Sequence, residues 1–192
     1  MIEVWTLAIV LVIVILIKRW MPKRPPLLIL DMNNVLVYRV FIPKQLDEKP
    51  ETIPYNDQGT VLGGKFYTWK RPHLDQFIDR CFEKYTVAVW SSAQTVNVSD
   101  LVDFVFGTRR KKLLFFWGQS MCDTWQLPGI HKPLFKKQLH KVWSTFPEYT
   151  ARNTFIMDDS ADKISDNPPN TCLLVKPWVV MDEGDDELLK LF

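Results

Sequence analysis

Short apolar runs separated by segments of helical spacing constrain this chain more than any other feature. Residues 27–30, 86–90, 113–117, 154–157 and 172–175 are such runs, each of strand length. Between them, residues 73–85 carry Leu74, Phe77, Ile78 and Phe82 on one helical face, residues 134–146 have similar spacing, and residues 93–106 supply a third helix. Such alternation predicts βαβ units, with a parallel sheet covered by helices on both faces and ligands bound beyond the carboxyl ends of the strands. Residues 38–67 contain prolines and a glycine pair with little periodicity, and read as an irregular insertion or small flap.

The start of the chain has a different character. Residues 4–17 are apolar except for Thr6, and with Met1 and Ile2 they give a stretch just long enough to cross about 30 Å of hydrocarbon. Glu3 before the run, and Lys18, Arg19 and Trp20 after it, oppose a cleaved signal peptide, so residues 1–20 are expected to form one N-terminal transmembrane helix in contact with lipid. The basic flank predicts that the folded part lies on the cytosolic or matrix side. Residues 21–26 read as a Pro-rich basic spacer, 27–180 as the folded domain and 181–192 as an acidic tail. In that tail Asp182, Glu183, Asp185, Asp186 and Glu187 read as charge at the start of a terminal helix.

Composition narrows the function. At 192 residues and 47% hydrophobic content, the chain can bury one ordinary core. A formal net charge of +2 gives no electrostatic case for nucleic acid, and the run Arg109, Arg110, Lys111, Lys112 reads as a solvated face. Cys81, Cys122 and Cys172 lack the spacing of a disulfide framework or zinc site, and fit a reducing compartment. His73, His131 and His140 have no metal-ligand spacing. Trp117, Trp125, Trp143 and Trp178 read as core or partner contacts.

Four segments carry chemistry. Leu28 through Val37 hold Asp31-Met32-Asn33-Asn34-Val35 at the end of the first apolar run. Lys70-Arg71-Pro72 leads to Trp90-Ser91-Ser92, Pro133-Leu134-Phe135 leads to Lys137, and Ile156-Met157-Asp158-Asp159-Ser160 precedes Asn167-Pro168-Pro169-Asn170-Thr171. In this order they resemble the four motifs of the haloacid dehalogenase superfamily, in the branch of phosphatases similar to those acting on the RNA polymerase II C-terminal domain, also called NLI-interacting-factor-like. The resemblance covers roughly residues 25–178 and implies a Rossmann-like α/β fold. It implies Asp31 as nucleophile, Ser91 as phosphate-binding hydroxyl, Lys137 as the neutralising lysine, and a Mg²⁺ site built from Asp31, the Asn33 carbonyl, Asp158 and Asp159, with Asp159 favoured as a direct ligand. The ligand it implies is a phosphate or phosphopeptide.

One position departs from the pattern. The second carboxylate of the first motif, which in relatives protonates the leaving group, is here Asn33, and Val35 replaces a common Thr. Positioned acid–base catalysis contributes about 10²–10⁴ in rate, and an amide has no proton to give. The sequence therefore favours a membrane-anchored pseudophosphatase serving as an accessory or structural subunit of a membrane complex, with the mitochondrial inner membrane as its expected location and the endoplasmic reticulum or nuclear envelope as alternatives. Two other functions stay open: a weak Mg²⁺-dependent serine/threonine phosphatase acting through an aspartyl-phosphate at Asp31, and a presequence-receptor-like subunit of a protein-import translocase.

Overall fold

The computed structural model describes residues 24–42, 59–126, 133–182 and 184–191. Its elements run β1 (Leu27–Leu30), β2 (Val37–Phe41), β3 (Thr60–Leu62), β4 (Phe66–Lys70), α1 (Leu74–Lys84), β5 (Thr86–Trp90), α2 (Thr95–Phe106), β6 (Phe116–Trp117), β7 (Asp123–Trp125), β8 (Leu134–Lys136), α3 (His140–Thr145), β9 (Thr154–Asp158), α4 (Ala161–Ile164), β10 (Cys172–Leu174) and α5 (Glu187–Lys190). Five strands form a parallel sheet in the order β10-β9-β1-β5-β6, a parallel α/β architecture.

Side-chain alternation along β1 and β5 divides the core into two layers. Leu28, Leu30, Val87 and Val89 pack on one face with Phe77 and Ile78 of α1, Val98 and Val102 of α2, and Leu188 of α5. Leu27, Ile29, Ala88 and Trp90 pack on the other face with Val142 of α3 and Ile164 of α4. Both faces of β1 are therefore covered, and its four residues are all buried. That explains why it reads as a continuous apolar run rather than an alternating one.

Several expectations are corrected. The described part of the 38–67 segment is regular: β2, β4 and β3 form an antiparallel sheet, with Tyr38 opposite Trp69 and Val61 opposite Tyr67. Residues 134–146 are not one helix. Their first turn is extended as β8, where Leu134 to Lys136 pair antiparallel with β7, and the helix begins at His140. The 113–117 run yields only the two residues of β6, because Leu113 closes the preceding 3₁₀ turn of Gly107–Lys112. The expected anchor at residues 1–20 lies outside the described residues. Among the described residues, no helix is long and apolar enough to cross a membrane.

The segment set apart as an acidic tail belongs to the fold. Asp185 is buried, and its carboxylate accepts two 2.7 Å hydrogen bonds from Arg71, at Nε and Nη2. Arg71 Nη1 also donates to the Val35 carbonyl at 3.1 Å. The same guanidinium thus ties the end of the chain to the turn after β1. Removing one member of a buried pair leaves a charge unsolvated, which costs about 3–5 kcal/mol, whereas replacing both with apolar groups can be nearly neutral. Asp185→Ala should lower the urea unfolding free energy of the full chain by about 3–5 kcal/mol, with Arg71→Met/Asp185→Leu recovering most of the loss. Equal losses in the single and double variants would show that the pair is not the cause.

Candidate active site

Strand register brings the chemistry together. Leu30 is level with Val89 of β5 and with Met157 of β9, and the Asp31 N–H donates to the Met157 carbonyl at 2.9 Å. Asp31 and Asp158 consequently leave the carboxyl ends of adjacent central strands at the same height, with Asp159 next along the chain. Ser91 follows β5 directly, its N–H donating to the Trp117 carbonyl at 2.9 Å, and its Oγ accepts from the Ala93 N–H at 3.3 Å. The site sits where β1 has neighbours reached by chain segments running in opposite directions, the position at which open parallel sheets bind ligands.

Asp31, Asp158 and Asp159 offer carboxylate oxygens that all lie within 4.8 Å of one another. Asp31, Asp158 and Lys137 are fully or almost fully buried. Lys137 Nζ lies 2.6 Å from Asp158 Oδ2 and 2.9 Å from Asp31 Oδ1. Without that ammonium the two carboxylates would face each other in a low-dielectric interior, where like charges repel strongly. The Lys137 contact to Asp31 is an ion pair out of hydrogen-bonding alignment, so among the described residues neither Asp31 oxygen receives an aligned hydrogen bond. The Asn33 side-chain oxygen is also buried without a hydrogen-bond partner. The clustered carboxylate oxygens of Asp31, Asp158 and Asp159 are the donor set that suits a hard cation such as Mg²⁺.

Sequence reasoning missed four residues of this neighbourhood. Lys163, in α4, places Nζ 3.1 Å from Asp158 Oδ1, 3.1 Å from Asp159 Oδ1 and 3.5 Å from Asp31 Oδ2. Burial acts to lower its pKa, but the charges of Asp31, Asp158 and Asp159 outweigh burial and raise it above the ordinary lysine value, so the group stays an ammonium. The signal was present as the i,i+4 spacing from Asp159. Asn167 staples the lysine loop, accepting from the Leu139 N–H at 2.7 Å and donating to the Lys137 carbonyl at 2.8 Å. Arg71 supports the turn of the first motif, as described above. Arg39 on β2 places its guanidinium 4.4 Å from the centre of the Phe66 ring, and burial lowers its pKa, opposed by the charge of Asp31.

The turn itself depends on Asn34. Its φ of 59° lies in the left-handed region that Asn tolerates better than most residues, and its Nδ2 donates to Asp159 Oδ2 at 3.0 Å. Its carbonyl accepts from the Trp178 N–H at 2.8 Å. Asn34→Ala should destabilise the full chain by about 1–2 kcal/mol through backbone strain, in addition to the lost hydrogen bond. Asn34→Gly should lose only the bond, about 1 kcal/mol. Equal thermal shifts for the two variants would exclude strain at this turn.

Residues 26–192 match the family described as NLI interacting factor-like phosphatase. The chain belongs to that family. It is similar to the CTD phosphatase-like protein 355R of Invertebrate iridescent virus 3, with 25% identity over 182 residues covering 88% of this chain and 94% of that protein. It is also similar to the human ubiquitin-like domain-containing CTD phosphatase 1, with 27% identity over 130 residues, 63% of this chain and 39% of that one. Among solved structures, it resembles the fission yeast RNA polymerase II CTD phosphatase Fcp1 bound to beryllium fluoride, with a TM-score of 0.59 and 17% identity. That match covers 87% of this chain but 45% of the Fcp1 chain, so this chain spans under half of that protein.

These relatives overturn the expected role as a non-catalytic accessory subunit of a mitochondrial membrane complex: the proteins it resembles are CTD phosphatases. The geometry gives a physical reason for the correction. The reading as a pseudoenzyme gave decisive weight to the single position Asn33, while the structure assembles a buried carboxylate, a lysine paired with it and two further acidic groups at the end of the same strands.

Proposed function

We propose that this chain is a Mg²⁺-dependent phosphatase of phosphoserine or phosphothreonine monoesters, working through an aspartyl-phosphate at Asp31. The observation that carries this reading is the state of Asp31: it is 1% exposed, at the end of a central strand, with neither carboxylate oxygen held by an aligned hydrogen bond. Its oxygens face the ammoniums of Lys137 and Lys163 as ion pairs, at 2.9 and 3.5 Å, which leaves lone pairs for attack that a structural carboxylate would spend on aligned donors.

The residues divide the work. An Asp31 oxygen attacks phosphorus while the bond from phosphorus to the leaving oxygen breaks. Lys137 orients Asp31 through its ion pair at 2.9 Å and balances its charge, and Ser91 donates its hydroxyl to a phosphate oxygen. Asp31, the Asn33 backbone carbonyl, Asp158 and Asp159 would hold Mg²⁺, which supplies neutralisation of charge on the transferring phosphoryl group. Water then attacks the aspartyl-phosphate, releasing phosphate and restoring Asp31.

Asn33 sets the rate. Its amide has no proton for the departing alkoxide, so the leaving oxygen takes its proton from solvent, and phenolic leaving groups, which need little help, go fastest. The full chain should hydrolyse an aryl phosphate in a Mg²⁺-dependent manner and a phosphoserine peptide much more slowly. Asp31→Asn should abolish both activities, and Asn33→Asp should raise phosphopeptide turnover by about 10²–10⁴. Activity that survives Asp31→Asn would sink the assignment.

A further inference from the structure

Two lysines enter the acidic cluster, and they are built differently. Lys137 is completely buried and pinned: its backbone N–H donates to the Lys163 carbonyl at 2.8 Å, its own carbonyl accepts from Asn167, and its side chain is 0% exposed. Lys163 reaches the cluster from the solvent side, with its side chain 20% exposed and its stem rising from the short helix α4. Its ammonium nevertheless touches all three carboxylates, whereas Lys137 touches two.

We propose that Lys163 is a tethered stand-in for the divalent ion, occupying the space among Asp31, Asp158 and Asp159 until Mg²⁺ displaces it. The inference rests on reading those carboxylates as the ion's ligands. Charge balance supports displacement rather than coexistence. Three carboxylates face two ammoniums, which leaves one net negative charge. A divalent ion added with both lysines in place would turn a largely buried site positive, while exchanging Lys163 for the ion brings it to neutrality. Geometry agrees, because Lys163 already engages one oxygen of each of the three carboxylates, at 3.1 Å from Asp158, 3.1 Å from Asp159 and 3.5 Å from Asp31. The Lys163 stem is long, flexible and partly exposed, so it can swing its ammonium into water at small cost. In the ion's absence, the same ammonium prevents the carboxylates from forcing the motif apart.

Such a device lowers apparent affinity for the ion by the fraction of molecules in which Lys163 is out of the site. If that fraction is about one-tenth, Mg²⁺ binds about tenfold more weakly than to the unguarded carboxylates. Calorimetric titration of the full chain with MgCl₂ should therefore give a Kd about tenfold lower for Lys163→Gln than for wild type. The metal-free variant should melt at a lower temperature than wild type, with the gap closing at saturating Mg²⁺. Independently of any variant, amine acylation of the wild-type chain, read by peptide mass spectrometry, should be faster at Lys163 with Mg²⁺ than without it. A Kd unchanged or raised in Lys163→Gln, or Lys163 acylation unchanged or slowed by Mg²⁺, overturns the proposal. Failure of Mg²⁺ to bind either protein overturns it too. Wild-type activity against an aryl phosphate, abolished by Asp31→Asn, would show that the phosphatase reading survives such a result. Loss of both would remove the two together.

Discussion

Like charges brought into register at the ends of neighbouring parallel strands dictate much of this structure. Backbone pairing puts Asp31 and Asp158 at one height whatever their side chains prefer, since Leu27 to Leu30 pair residue for residue with Thr154 to Met157. Neither carboxylate is exposed, so water cannot screen them, and the chain must supply cations. Lys137 answers that need, and its loop is then fixed by Asn167. In turn, Asn167 sits between α4 and the segment that leads into β10, its Nδ2 also donating to the Ile164 carbonyl at 2.9 Å. The edge of the sheet beyond β9 is thereby coupled to the charge balance at its centre.

The parallel sheet was legible in the sequence because burial on both faces removes ambiguity. The runs at 27–30 and 86–90 coincide with β1 and β5, as four successive apolar residues in each, after Thr86 in the second, leave little alternative at strand length. Legibility fails where a non-local partner decides the outcome. Leu134 to Lys136 extend because β7 offers an antiparallel edge, a fact absent from their own spacing. The same holds for charge: Asp185 sits in an acidic run that reads as solvated, and only Arg71, 114 residues away, makes its burial tolerable. Lys163 looks like an ordinary surface lysine until the strand end beside it is seen to hold carboxylates. The motif residues Asp31, Ser91, Lys137, Asp158 and Asp159 were found by resemblance to a family, and the structure adds the distances and burial that their spacing could not supply.

Asn33 marks the limit of argument by motif. Its substitution bears on acid–base catalysis alone, and the sequence reading let that one loss decide the function although it found the binding residues in place. The arrangement around Asp31 separates two tasks that the motif joins: making a phosphoryl acceptor available, and protonating what leaves. The first depends on burial, strand position and lone pairs not spent on aligned hydrogen bonds, as the described residues show for Asp31. The second depends on a single atom type, which an amide lacks.

The left-handed turn at Asn34 has a further mechanical meaning. Its carbonyl receives the Trp178 N–H, while Arg71 bridges the adjoining Val35 carbonyl to Asp185. A loop at the reacting centre and a stretch of backbone some 140 residues later in the chain therefore share their fastenings. Neither can open alone without stranding polar groups, so the two should behave as one cooperative unit in native-state fluctuations. Any protein or peptide that grips the exposed Val179 and Met181 beside Trp178 would hold, through those fastenings, the loop that carries the nucleophile.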